Sequence, residues 1–469
     1  MVEHFHGKEK VPGPNPGNGS EKKNHFWFFL LLIITAIVIS AMTQHEAFNI
    51  LKSGHNVFLT GSAGSGKTFL LNEFIDYLKS ENILAGVTAS TGIAATHING
   101  RTIHSWCGMG IEESMNHQVR NSIAKGDLKQ RIKKSQVLII DEISMLSANR
   151  LDLVDNICKV VRKSEHPFGG LQIVLSGDFF QLPPVARGGE DSRFAYEAEI
   201  WTKMNLKICY LEEQHRHEDK KFLDLLNSLR SRKDLTAAKK SLASRLNKEI
   251  KSNIKPTKLY THNFDVDTYN NLELSRLKSE TRLFEMRSHG LPSLIDKLKN
   301  GCLAPENLEL KLGAVVMFVK NNFKEAYVNG TVGKIIGFDD DSGYPLVETF
   351  KGDIIEAKRE MWPIEDSSGV LASISQVPLR LAWAITIHKS QGLSLDCAEI
   401  DLSRTFEYGM GYVALSRVRS LSGLKLLGLN DLALEVNEKM ILLDEELRAR
   451  STQDLLDFTN GNSYKLTLL

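Results

Sequence analysis

The stretch "NVFLTGSAGSGKT" (residues 56–68) decides the fold. "NVFLT" has the unbroken apolar character of a buried parallel strand. "GSAGSGKT" fits the pattern GxxxxGKT, and "TFLLNEFIDYLK" (68–79) continues as an amphipathic helix. Strand, glycine-rich loop and helix in that order make a phosphate-binding loop. Gly61, Gly64 and Gly66 let backbone N–H groups wrap phosphates, with Ser62, Ala63 and Ser65 completing the loop, and the helix N-terminus adds a favourable dipole. Lys67 is placed to reach the outer phosphates of ATP, and Thr68 to offer a hydroxyl to Mg²⁺.

The same alternation recurs downstream. "VLIIDEIS" (137–144) reads as a partner strand ending in Asp141 and Glu142, two carboxylates at the sheet edge where open α/β folds bind ligands. Asp141 is expected to hold Mg²⁺ through water and Glu142 to orient the attacking water as base. The alternative for this pair is a helix N-cap. "QIVLSGD" (172–178) reads as a third buried strand, and a second α/β block follows late, in "AITIHKSQG" (384–392) and "CAEIDLS" (397–403). Between them "LGAVVMFVKNN" (312–322) and "YVNGTVGKIIGF" (327–338) read as short antiparallel strands with glycine turns, expected to close a small β-barrel. No repeat at solenoid spacing occurs.

Composition sets limits. The 469 residues suffice for two or three domains, and 58 Lys and Arg against 57 Asp and Glu give a formal charge of +1, so whole-molecule charge points to neither nucleic acid nor membrane. One local asymmetry stands out, twelve basic against three acidic residues from Lys220 to Tyr260. A solvated helical face and a phosphate-tracking surface explain it equally well. Cys107, Cys158, Cys209, Cys302 and Cys397 are scattered, with no CxxC pair, which fits a reducing compartment and buried thiols.

An NTP site alone serves kinases, transporters and motors. Several stretches in order resemble the Pif (petite integration frequency) family of superfamily-one DNA helicases, over roughly Met42 to Leu429. They are "TASTGIAATHINGRTIHSW" (88–106), "LSGDFFQLPPV" (175–185), "YLEEQHRHED" (210–219), "AWAITIHKSQGLSLD" (382–396) and "YVALSRVRSLSGL" (412–424). The resemblance implies two RecA-like motor domains of α/β class and ATP-driven 5′-to-3′ movement on single-stranded DNA, in repair, recombination or replication. It implies a phosphate-sensing Gln181, arginine fingers Arg216 and Arg417, an adenine-reading Gln44 and a nucleotide contact at Gly392. It also implies DNA contacts at Thr91, His104, His262, Asn263, His388 and Lys389, whose donors suit phosphates. Trp106 and Phe180 have the shape to stack bases, against the commoner role of such residues as core. Met410 stands where the family often has Gln.

The domains expected are a tail with a hydrophobic segment (1–41), a first RecA-like domain (42–215), and a basic linker opening the second motor domain (216–300). A Src-homology-like barrel insertion (301–370) and the remainder of the second domain (371–469) complete the chain. Single-stranded and tailed duplex DNA are the expected partners, ATP the one small molecule, Mg²⁺ its companion, and a monomer the working unit. Two rival readings are a membrane-tethered NTP-dependent switch and a subunit of RecD or relaxase type. The apolar run from Phe26 to Met42 is at the short limit for a bilayer span. Lys22 and Lys23 precede it, so the positive-inside rule would export the motor. The functional protein is therefore expected to begin near Met42 and to be cytoplasmic and nucleoid-associated, with a membrane anchor as the alternative.

Overall fold

The computed structural model describes residues 41–466 apart from 111, 125, 185–192, 215–218, 252–255, 321, 323–324, 326, 328–330, 350–351 and 367–368. The apolar run at 26–42 lies outside the described residues except for its last two, and Arg216 also lies outside them. Among the described residues no helix is long and apolar enough to cross a membrane.

The first half is built on a six-stranded parallel sheet of β1 (Val57–Gly61), β2 (Ala85–Ala89), β3 (Arg101–Thr102), β4 (Val137–Asp141), β5 (Gln172–Ser176) and β6 (Lys207–Leu211). The strand order is β3-β2-β4-β5-β1-β6, which puts β1 and β4 inside the sheet, each flanked by two neighbours. Every residue of β1 and β4 is buried, as a parallel strand covered on both faces requires. Helix α1 (Gln44–Lys52) enters through a capping box in which Thr43 and Glu46 satisfy each other's backbone N–H groups. That box fixes Gln44 at the first turn. Helix α2 (Lys67–Ser80) starts directly from the glycine-rich loop and buries Leu70, Leu71, Phe74, Ile75 and Leu78.

The outer edge of β6 is not left open. Its Ile208 N–H donates to Asp454 and its Tyr210 N–H to Ser451, both on the C-terminal helix Glu438–Leu466, while Lys207 pairs with Asp454 at 2.9 Å. Side chains thus replace the missing neighbouring strand.

The second half holds a four-stranded parallel sheet, Ala384–Thr386, Thr257–Tyr260, Ala398–Leu402 and Leu424–Leu429 in spatial order. Its first strand in the chain is separated from the next by antiparallel sheets of five, three and two strands, running from Arg282 to Leu381. These strands begin before 301 and end after 370, because Arg287–Gly290 pairs with Gly369–Gln376 and Leu379–Leu381 pairs with Val315–Phe318. Among the described residues the five-stranded sheet runs Ile354–Glu356, Pro345–Thr349, Val332–Phe338, Val315–Phe318 and Leu379–Leu381 in spatial order, all antiparallel, within the region where a small barrel is expected.

The basic segment after Lys220 is neither wholly solvated nor wholly available to phosphate. Arg230 and Arg245 are buried, and Lys258 pairs with Glu399 at 2.5 Å. The five cysteines are free, four of them buried.

Candidate nucleotide site

The loop after β1 adopts a backbone that glycine alone enters readily. Gly61, Gly64 and Gly66 have φ of 142°, 88° and 86°. Lys67, the first residue of α2, folds back so that Nζ donates to the carbonyls of Gly61 and Ser62 at 2.8 and 3.0 Å. Here peptide oxygens satisfy an ammonium that phosphate oxygens would also satisfy. Burial lowers the Lys67 pKa, opposed by the charges of Asp178, Glu142 and Asp141. Gln44 Nε2 lies 3.5 Å from the Ser65 carbonyl, so α1 brings it to the loop. The Gln214 side chain bonds Ser62 Oγ, and Ser65 Oγ is buried with no partner.

The two carboxylates differ in what they do. Asp141 ends β4 and accepts from the Glu142 N–H at 2.9 Å, while burial raises its pKa. Glu142 sits in the left-handed region, φ 51° and ψ 46°, and its side chain makes no capping bond to the short helical turn that follows. The N-cap alternative therefore fails for Glu142. Burial, then the charge of Asp141, pushes the Glu142 pKa up to about 7, against the pull of Lys67 and Arg417. Its Oε2 is buried without a hydrogen-bond partner. A carboxyl with a pKa near neutrality and a free oxygen is suited to accept a proton from water.

Both halves wall one cavity of about 170 Å³. Thr68, Thr91, Ala94, His97, Asp141, Glu142 and Met145 come from the first half, and His388, Lys389, Gln391 and Gly392 from the second. Gly392 has φ 80°, and a Cβ there would run into the His97 ring, so this close approach depends on glycine. Across the seam, Gln391 Nε2 donates to Gln181 Oε1 at 3.3 Å, both side chains buried. The residues fit a nucleotide with a hard cation. Mg²⁺ takes few protein oxygens and completes its shell from phosphates and water, and here Thr68 and Asp141 share a cavity with the unpartnered Glu142 oxygen.

Arg417 is buried at 2% exposure, its Nε donating to the Val413 carbonyl at 3.0 Å and its NH2 to Ser416 Oγ at 2.8 Å. Burial lowers its pKa, with Glu142 the first charge opposing that shift. The second half thus brings an arginine charge near Glu142.

Sequence reading missed a buried network beside the loop. Asp178, two residues beyond β5, pairs with Arg230 at 2.7 Å. Arg230 also donates to the Tyr412 and Tyr210 hydroxyls, each at 3.1 Å, and to Asp444 at 2.9 Å. Burial works against the Arg230 charge, but Asp178, the two tyrosines and Asp444 outweigh it and raise the pKa. The Tyr412 hydroxyl in turn accepts from the Ala63 N–H at 3.0 Å, so a residue of the second half touches the phosphate-binding loop itself. One signal was legible: Arg230 lies on the apolar stripe of helix Lys220–Ser231 with Phe222, Leu225, Leu226 and Leu229. A charge on such a stripe demands a buried partner.

Of the expected DNA contacts, Thr91, His388 and Lys389 line the cavity. Thr91 is held there by accepting from the Ala94 N–H at 3.2 Å. His262 immediately precedes the helix Asn263–Arg276. The Asn263 side chain lies outside the described residues. His104, on the short helix Ile103–Cys107, is half-buried and does not line the cavity. Both candidate stacking aromatics of the first half are core. Trp106 is 1% exposed and packs against Gly86, and Phe180 is buried beneath the Arg230 guanidinium, 4.2 Å from its ring centre.

A family model described as PIF1-like helicase matches residues 39–236, and one described as DNA helicase Pif1, 2B domain, matches 293–338. The chain is similar to "ATP-dependent DNA helicase Pif1" of Psychrobacter sp., 45% identical over 457 residues that span 84% of this chain and 69% of that relative. Among solved structures it is similar to the Pif1 helicase from Candida albicans, with 35% identity, TM-score 0.75 and coverage of 87% of this chain and 100% of that one. It is also similar to the Bacteroides Pif1 helicase in complex with ADP-AlF3 and ssDNA, with 29% identity, TM-score 0.66 and coverage of 88% and 99%.

Proposed function

The chain belongs to the PIF1-like helicase family as an ATP-hydrolysing DNA helicase, and we propose that it moves 5′ to 3′ along single-stranded DNA. The observation that carries the ATP-driven part of this reading is the shared cavity, lined by Thr68, Asp141 and Glu142 of the first half and by Gln391 and Gly392 of the second, while the direction rests on the family resemblance. A ligand lodged there touches both halves, so binding and loss of its terminal phosphate alter how they meet.

The residues divide the work. The loop Gly61–Thr68 and Gln44 bind ATP, and Lys67 exchanges its carbonyl partners for phosphate oxygens. Thr68 and Asp141 would hold Mg²⁺, which when bound neutralises phosphate charge. Glu142, with its raised pKa, orients water and accepts its proton. Gln181 and Gln391, bonded to each other, report the terminal phosphate across the seam. Arg417, and Arg216 by resemblance, stabilise the charge that develops in transfer.

Single-stranded DNA and tailed duplexes are the proposed partners, supported by the complex of the Bacteroides relative with ssDNA. A monomeric motor acting in DNA repair, recombination or replication, in the cytoplasm beside the nucleoid, completes the reading. The deciding assay compares duplexes with a 5′ or a 3′ single-stranded tail, alongside ATPase rates with and without single-stranded DNA. Unwinding of the 5′-tailed substrate alone and DNA-stimulated hydrolysis are expected. Preference for the 3′ tail would overturn the direction.

A further inference from the structure

Along the C-terminal helix Glu438–Leu466, Ser451 and Asp454 close the edge of β6, while Asp444 is committed to other side chains. Its Oδ1 accepts from the Tyr210 hydroxyl at 2.7 Å and from Arg230 at 2.9 Å, and its Oδ2 accepts from Arg448 Nε at 2.8 Å. Burial works against its charge, but Arg230, Arg448 and the Tyr210 hydroxyl outweigh it, so this carboxyl lies below its ordinary pKa and is ionised at neutral pH. Closing the sheet edge needs none of these three bonds.

From Arg230 the network runs on to the phosphate-binding loop without a gap. The Tyr412 hydroxyl accepts from Arg230 at 3.1 Å and from the Ala63 N–H at 3.0 Å, and donates to Asp178 at 3.3 Å. One O–H and two lone pairs are all that a phenol offers, so this hydroxyl is saturated. Tyr210 is saturated in the same way, donating to Asp444 and accepting from Arg230 at 3.1 Å and from Arg448 at 2.6 Å. A buried polar network with every member partnered is rigid, and the loss of one partner is felt by the rest. Ala63 lies within the loop at 61–68, whose N–H groups must be aimed together at phosphate oxygens. Tyr412 belongs to the helix Met410–Leu415 of the second half, so part of that aim is set from outside the first sheet.

We propose that Asp444 is a positioning residue for ATP hydrolysis, holding Arg230 so that the guanidinium and Asp178 fix the Tyr412 hydroxyl on the Ala63 N–H and keep the phosphate-binding loop in its binding form. A loop held in this way is ready when ATP arrives. A loosened one is unable to bind for part of the time, and apparent affinity falls with the competent fraction. Once ATP is bound the transition state is reached as before, so KM and not kcat carries the effect. The proposal rests on the assignment of ATP to the loop at 61–68 and deepens it.

The test measures steady-state ATPase kinetics and fluorescent-nucleotide binding on the full chain. Tyr412→Phe removes one oxygen, and Asp444→Asn removes the charge facing Arg230. Each is expected to raise KM for ATP and the nucleotide Kd by about fivefold, with kcat held within about twofold. Because both act through one chain of contacts, the double variant should be no weaker than the worse single one. Asp454→Ala, on the same helix but bonded to Ile208 and Lys207 of β6, is the control, expected to lower the thermal midpoint and leave KM unchanged. An unchanged KM in either single variant would overturn the proposal, and so would multiplicative losses in the double variant. An equal rise in KM for Asp454→Ala would also overturn it, by tracing the effect to docking of the helix as a whole. Failure of the wild-type chain to bind nucleotide, or binding that Lys67→Ala leaves intact, would remove the assignment of ATP to the loop and this proposal with it.

Discussion

The two parallel sheets both gather polar side chains at their carboxyl edges and reach that arrangement by different routes. In the first, the chemistry comes in short unbroken runs, a loop at 61–68 and a carboxylate pair at 141–142, each attached to a strand buried on both faces. In the second, His262 is separated from His388 and Phe406 by antiparallel sheets that span Arg282 to Leu381, and the three become neighbours only because their strands are adjacent. Local chemistry tolerates being read from a linear pattern. Assembled chemistry does not, because its spacing lies across strands and not along them.

The comparison would break most sharply at Lys67. Lys67→Ala removes the ammonium from the loop and leaves the sheet untouched, so ATP hydrolysis should fall at least about a thousandfold with the thermal midpoint nearly unchanged. A steady-state ATPase assay beside a melting curve checks this. Retention of activity would show that the first sheet does not hold the phosphates.

The second half is tested through Arg417. Arg417→Lys keeps a charge and loses the planar fork, and hydrolysis should drop by about a hundredfold or more while nucleotide affinity changes little. Measured by fluorescent-nucleotide binding and single-turnover hydrolysis together, unchanged turnover would mean that a positive charge at this position suffices without the planar fork.

The smallest effect concerns stability and has a definite sign. Glu142 has a folded pKa of about 7 against an ordinary value of 4.5, so the folded state prefers its protonated form. That preference is fully present below pH 4.5 and lost as pH rises through 7, leaving a buried carboxylate that weakens the fold. Glu142→Gln should therefore slow turnover yet stabilise the nucleotide-free protein at pH 8, by up to about 3 kcal/mol, with the gain vanishing toward pH 4.5. Denaturation at the two pH values decides it. A loss of stability at pH 8 would show that the carboxylate is compensated in the fold.

Much of the first half was legible because its signals are contiguous. The glycine spacing, Lys67, Thr68 and the Asp141–Glu142 pair are all where the strand–loop pattern puts them. Trp106 and Phe180 take the commoner of the two roles open to them, as core residues packed against Gly86 and Arg230.

By itself the sequence determined the α/β class, the phosphate loop and the order of the motifs, because hydrophobic period and backbone freedom are properties of neighbours in the chain. Only the tertiary structure decided that Tyr412 would meet the Ala63 N–H, that Gln391 would bond Gln181, and that Arg230 would be enclosed by Asp178 and Asp444. These pairings are separated by 52 to 349 residues in the chain. They form because burying a polar group without a partner is costly, and the nearest partner in space is set by strand order.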